Sequence, residues 1–337
     1  MNTESRPLII VMTPVRNEAW VLRAFLETTS LWADYIVVAD QLSDDGSREI
    51  LSRYPKVVMT DNATPEFNEP ERQSMLIAKA REVAGGRDAL LWGLDADEIL
   101  AANAFETKDW DNILHSKPGD VFWFRWVELC PDQRAYYLSP QLCNPCLFHD
   151  DGMEPHGNFV RNMHSMRIPY PMAQHYKKRY IVQDFRILHL AYLNPYRVSS
   201  KRRFYQFVDW EMNHRSPVKL IRSYTQFRDS HKVMPLPDSF LFSEKYSFNL
   251  LDMVDRNKSQ CYMDDYIVER IPRHSTQEMR SLDIWDDVLL KKSHLKDPRR
   301  NIDKLVHWYL RVTTSKRDSF PVRCIDKILK WVYAREQ

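Results

Sequence analysis

Glycine is scarce, with seven in 337 residues. Few positions can therefore turn through positive φ without steric cost, and turns must lean on Asn, Asp and Pro. The scarcity also removes function classes. No G-x-G-x-x-G follows the first apolar run, which excludes a dinucleotide-binding dehydrogenase, and the glycine-rich phosphate loop expected of a nucleotidyltransferase is missing there too. Long apolar runs are absent: nothing approaches the roughly 20 consecutive apolar residues of a membrane-spanning helix. The opening MNTESRPLIIVMTP has an apolar run of about five residues, short of a secretory signal, so a cytoplasmic location is expected. Neither sign of charge dominates. Forty-eight Lys and Arg face 46 Asp and Glu, a formal charge of +2, and no nucleic-acid partner is expected. Five cysteines, an odd number, suit reduced thiols better than a disulfide framework. Cys143 and Cys146, with Cys130 and His149 nearby, lack the second C-x-x-C of a zinc site.

What remains is ordinary globular material, 44% hydrophobic and 28% charged, and long enough to bury a large core. Short apolar runs at Leu8–Met12, Tyr35–Ala39, Val57–Met59 and Ala89–Leu94 read as strands buried on both faces, as in a parallel sheet. Helical spacing predicts helices over Asn17–Trp32, Ser47–Tyr54 and Glu69–Ala84. Strand–helix alternation implies a doubly wound α/β fold, with ligands beyond the carboxyl ends of the strands. From Val121, VFWFRWVEL reads as one bulky strand, followed by loops to about Pro171. Past Leu188 the pattern is mostly helical, at Ser199–Arg215, Phe242–Arg256, Ile284–Lys292, Asn301–Thr313 and Val322–Arg335. The expected division is residues 1–195 for the α/β domain and 196–337 for a mainly helical region.

Three polar segments fall at the ends of those strands: Thr13-Pro-Val-Arg-Asn-Glu, Asp40-QLSDDGS and Asp95-Ala-Asp97-Glu98. Two aspartates one residue apart raise each other's pKa unless a cation intervenes. Mg²⁺ or Mn²⁺ binds through one or two carboxylates and completes its shell with water and phosphate oxygens. It would neutralise charge building on a phosphate leaving group.

In this order and spacing, TPVRNEAWVLRAFL, VVADQLSDDGSREIL and LLWGLDADEIL resemble the family 2 glycosyltransferases of GT-A fold. The resemblance covers residues 7–100; beyond it, MHSMRIP and ILHLAYLNPYRVSSKRRFY are similar to segments of bacterial enzymes that build lipopolysaccharide and related surface glycans. It implies a mostly parallel GT-A sheet with a helical C-terminal region. The implied activity is inverting transfer of a sugar from a nucleoside-diphosphate sugar, UDP foremost, to a hydroxyl of a glycan or lipid-linked acceptor. By position, Thr13 and Asp40 would contact the nucleoside and Arg72 the base or phosphates. Asp95 would hold the ribose or the metal's water shell, Asp97 would ligate Mn²⁺ or Mg²⁺, and Glu98 would support them. Family members often carry an acidic residue where this chain has Gln41.

The reaction needs a base within reach of the acceptor hydroxyl. LFHDDGMEPHG offers Glu154 and Asp151 ahead of Asp150, because the subgroup's Glu after its histidine is Ser165 here. Imidazole suits Mn²⁺, which makes His189 a candidate third ligand, with His164 behind it. Lys201, Arg202, Arg203, Lys291, Lys292, Arg299 and Arg300, with Trp308, Tyr309, Trp331 and Tyr333, suggest peripheral contact with the inner face of the cell membrane. The rival reading is a non-catalytic nucleotide- or sugar-binding protein that keeps the fold.

Overall fold

Alternation along the first strand sets the layers. In β1 (Leu8–Val15), Ile9 and Val11 face one way and Ile10 and Met12 the other, and all four are buried. The computed structural model describes residues 6–131, 134–138, 145–153, 166–169, 176–225, 233–243, 250–258 and 261–336. Ile9 and Val11 join Ile36, Val38, Leu90 and Trp92 under helix α1 (Ala19–Thr29). Ile10 and Met12 join Val37, Ala39 and Leu91 under α3 (Glu69–Ala84), where Leu76, Ile77 and Ala80 supply the apolar stripe. With both faces covered, unbroken apolar strands are what a parallel sheet requires.

The remaining strands are β2 (Tyr35–Asp40), β3 (Val57–Asp61), β4 (Ala89–Gly93), β5 (Glu98–Leu100), β6 (Asp120–Trp123), β7 (Trp126–Leu129), β8 (Ala135–Leu138), β9 (Pro145–His149), β10 (Lys178–Ile181), β11 (Ile187–His189) and β12 (Val233–Pro235). Among the described residues, the larger sheet runs β10-β6-β9-β4-β1-β2-β3 and the smaller one β12-β8-β7-β11-β5. β1 pairs in parallel with β2 and β4, and β2 with β3. β9 is antiparallel to both β4 and β6. This is a mixed α/β fold with a parallel-rich sheet and a helical C-terminal region. The aromatic run VFWFRWVEL is not one strand: it breaks at Phe124-Arg125, giving β6 to the larger sheet and β7 to the smaller. An unbroken apolar run carries no mark of such a change of sheet.

Among the described residues the other helices are α2 (Ser47–Leu51), α4 (Lys108–Leu114), α5 (Pro195–Asn213), α6 (Pro217–Tyr224), α7 (Tyr262–Arg270), α8 (Thr276–Met279), α9 (Asp287–Ser293), α10 (Asn301–Val312) and α11 (Phe320–Glu336). The helix expected over Phe242–Arg256 is, in its described part, one 3₁₀ turn at Leu250–Met253. The chain forms two compact units, Met1–Asn194 with Lys232–Lys258, and Pro195–His231 with Ser259–Gln337. The second is tied internally by Arg203 on α5, whose guanidinium takes both oxygens of Asp264 on α7 at 2.8 Å, with all of these groups fully buried.

Candidate active site

The parallel strands β1, β2 and β4 deliver their three polar segments to one rim of the larger sheet. Val15 pairs with Asp40, and Met12 with Gly93 just before the acidic motif. The first two segments are fastened to each other. Asn17, at φ 56°, donates its amide to Ser43 Oγ (3.0 Å), a left-handed conformation that Asn tolerates better than most residues. Glu18 N–H donates to Ser47 Oγ (3.0 Å) and Ala19 N–H to Asp45 (3.1 Å), so the entry to α1 is closed by the chain's own side chains. Lys258 adds its ammonium to Asp45 at 2.9 Å. Burial pushes the Asp45 carboxyl up, but Ser47, Lys258 and the Ala19 amide more than reverse this and hold it below the usual range.

Asp40 ends β2 almost wholly buried. Its Oδ2 accepts from Arg48 at 2.7 Å, and its buried Oδ1 has no hydrogen-bond partner among the described residues. Gln41, where the resembled family often has an acid, donates to the carbonyls of Thr64 and Glu66 at 2.9 Å and so anchors the following loop. Thr13 lies inside β1 and is fully buried, so its side chain presents no surface at the rim. Arg72, in the first turns of α3, stacks its guanidinium over Phe67 at 5.9 Å.

The acidic motif bridges the two sheets, leaving β4 of one and entering β5 of the other. Arg167, a residue that the sequence reading did not single out, sits across it. Its guanidinium donates to Asp95 Oδ2 (2.7 Å) and to both oxygens of Glu98, and to the carbonyl of Gly93. The contact demands glycine at 93, because a Cβ there would lie 2.8 Å from Arg167 Cβ. Burial works against charge on Arg167, yet Asp95 and Glu98 hold it well above its ordinary value. Burial likewise pushes the Glu98 carboxyl up, against the pull of Arg167. Part of the like-charge conflict in the motif is thus relieved by an arginine. Asp95 remains 38% exposed beside it.

Asp97 faces the other way. β11 pairs His189 with Glu98 on one side and with Glu128 on the other. His189 Nε2 lies 3.4 Å from Asp97 Oδ2, and Nδ1 lies 2.6 Å from Glu128 Oε2. Burial lowers the imidazole's affinity for a proton, but Glu128 and Asp97 raise it well above the usual histidine value. Nothing in the sequence spacing marks Glu128, 61 positions from His189. Among the described residues, no group of three or more His, Cys, Asp and Glu is arranged to hold a metal ion.

Asp151 does not belong to this rim. β9 runs antiparallel to β4, pairing His149 with Leu90, and Asp150 N–H donates to Ala89 O. Asp150 and Asp151 therefore emerge at the start of β4, about 13 Å of strand away from its acidic end. Asp150 is held there by two bonds from Arg81, at 2.8 and 3.0 Å. Asp151 therefore stands apart from the acidic motif, where the sequence reading expects a base. Glu154 and His164 lie outside the described residues. His149 is bonded to Ser116 and Asp88 through its two nitrogens, which marks it as structural.

No protein-family profile matches the sequence, and no curated protein does. Solved structures give loose likenesses. The crystal structure of 4-diphosphocytidyl-2C-methyl-D-erythritol synthase is 13% identical over 53% of this chain and 90% of its own, with a TM-score of 0.35. HddC from Yersinia pseudotuberculosis is 7% identical over 55% of this chain and 93% of its own, with a TM-score of 0.32. The functional reading therefore rests on the site's own geometry and chemistry.

Proposed function

We propose that the chain is an inverting glycosyltransferase that takes a nucleoside-diphosphate sugar, UDP foremost, at the rim of the larger sheet. It passes the sugar to a hydroxyl of a glycan or lipid-linked acceptor. The observation that carries the reading is the pairing of Asp97 with His189, backed by Glu128, at the strand rim where such folds bind ligands. Their separation is near that of adjacent ligands on an octahedral ion, about 3 Å for bonds of about 2.1 Å. With Glu128 accepting from Nδ1–H, Nε2 would be available to hold the ion, as in histidines backed by a carboxylate. Two protein ligands suffice for Mg²⁺ or Mn²⁺ when phosphate oxygens and water complete the shell. Once bound, the ion would stabilise negative charge on the departing diphosphate. Asp95, oriented by Arg167, is suited to ribose hydroxyls or metal-bound water. The Asp40 side chain is as buried as that of Thr13, so it serves the rim through its ion pair with Arg48 and not by meeting the nucleobase.

A thermal-shift panel of UDP, GDP and CMP, with and without Mn²⁺, tests the proposal. A ligand at about a hundred times its Kd stabilises by about 2.7 kcal/mol. UDP should raise the melting temperature only with Mn²⁺, and Asp97→Asn and His189→Ala should each remove that dependence. Equal shifts with and without metal would remove the ion from the site. Indifference to all three nucleotides would leave the non-catalytic rival without a ligand as well.

A further inference from the structure

Two C-terminal helices expose an apolar stripe, although their inner sides also pack on a small core with Val218 and Ile221. On α10, Ile302, Leu305, Trp308 and Val312 share one side at about 100° per residue, and each is more than half exposed. The opposite, buried side carries Asp303 and His307 beside Leu310. On α11, Phe320, Ile328 and Trp331 share an exposed side, with Phe320 80% exposed, while Val322, Asp326 and Tyr333 turn inward. An amphipathic helix of a globular unit ordinarily does the reverse.

The orientation is fixed by buried polar contacts. Arg222 on α6 takes both oxygens of Asp326 (2.8 and 3.1 Å) and also bonds the Leu310 carbonyl, so one guanidinium holds both helices. His307 bonds the carbonyl of Ser281 at 2.9 Å, and Asp303 accepts from Arg300. Neither helix can roll its apolar side inward without stranding these groups, and breaking buried charge pairs is strongly unfavourable.

We propose that this face docks on an anionic lipid surface. Charge selects the occupant. Over residues 301–333 seven Lys and Arg face three Asp; Asp303 and Asp326 are buried in ion pairs, and Lys304 and Arg311 are themselves paired with Asp297 and Asp283, which leaves five cations toward the C-terminus. The remaining Asp318 sits in the turn beside Arg317. Lys316, Arg323 and Lys327 are exposed along the border of the apolar stripe. Basic borders with tryptophan on the apolar side are the pattern of helices that lie in a membrane interface. A second copy docked through the same face about a two-fold axis would set basic border against basic border. No helix among the described residues is long and apolar enough to cross a membrane, so the contact is peripheral. Tyr333, like Arg203, is turned inward and takes no part.

The inference does not depend on the catalytic reading. Co-sedimentation of the full chain with phosphatidylglycerol and with phosphatidylcholine vesicles tests it. Binding is expected to phosphatidylglycerol alone and to weaken as salt rises. The double variants Arg323→Glu/Lys327→Glu and Trp308→Ala/Trp331→Ala should each weaken partition at least about tenfold, with unchanged melting curves. If a variant melts early, quenching of wild-type tryptophan fluorescence by brominated phosphatidylglycerol decides in its place. Absence of binding, or equal salt-independent binding to both vesicles, overturns the proposal. So does a concentration-dependent dimer in sedimentation that Trp308→Ala/Trp331→Ala dissolves, because a second copy then covers the face.

Discussion

Asp45 is the residue whose loss should loosen the rim most, because its carboxylate is saturated. Oδ1 accepts from the Ser47 amide (3.0 Å) and hydroxyl (2.6 Å), and Oδ2 from the Ala19 amide (3.1 Å) and the Lys258 ammonium (2.9 Å). A carboxylate has about four lone-pair sites, and all are in use. Asp45→Asn preserves the volume but places an amide NH₂ against two donors whichever way it turns. Losing either helix-entry amide resembles losing an N-cap, about 1 kcal/mol each. The partly solvated Lys258 pair contributes about 1 kcal/mol more. Asp45→Asn should therefore cost about 2 kcal/mol near neutrality, one amide and the Lys258 pair. Urea unfolding followed by circular dichroism gives the loss, and hydrogen exchange should show it concentrated at the Ala19 and Ser47 amides. Because the folded pKa of Asp45 is lowered, its contribution is complete above the unfolded carboxylate value of about 3.9. It disappears as pH falls through the lower folded value, so wild type and variant should converge in acid. A loss under about 1 kcal/mol, or one that persists unchanged in acid, would refute the reasoning.

Two further outcomes follow from close packing and buried charge. Gly93→Val should displace Arg167, costing about 1–3 kcal/mol in unfolding experiments, and under the proposed function it should weaken nucleotide affinity in calorimetry, since Asp95 loses its orienting partner. Arg203→Met should strand the fully buried Asp264 and cost about 3–5 kcal/mol in chemical denaturation. Adding Asp264→Leu should recover most of that loss.

The parallel core was legible because its strands are unbroken runs of apolar residues and its helices have clean 3.6-residue spacing. Asp40, Asp95 and Asp97 could be placed at the rim for the same reason: in a parallel sheet, following a strand means standing at its carboxyl end. Asp151 went astray because β9 is antiparallel, and direction leaves no trace in a short buried strand. Arg167 and Glu128 were invisible for a different reason. Each reaches its partner across more than 60 positions, Glu128 by the pairing of β7 with β11 and Arg167 from a segment outside any strand, and no local pattern encodes either. The exposed apolar stripes of α10 and α11 were hidden as well, since periodicity finds a stripe without saying which side the neighbouring elements cover.

Lys258 closes the first unit in a way that bears on synthesis. It reaches Asp45, its carbonyl accepts from Asn194 (2.9 Å), and nearby Asp255 N–H donates to Trp20 O (2.7 Å). The clasp at the start of α1 therefore waits for a segment more than two hundred residues downstream. A nascent chain stalled before that point would carry the strands of the larger sheet without their fastener. Shortened forms ending near residue 194 should thus be more open to proteolysis around Asn17–Trp20 than the full chain.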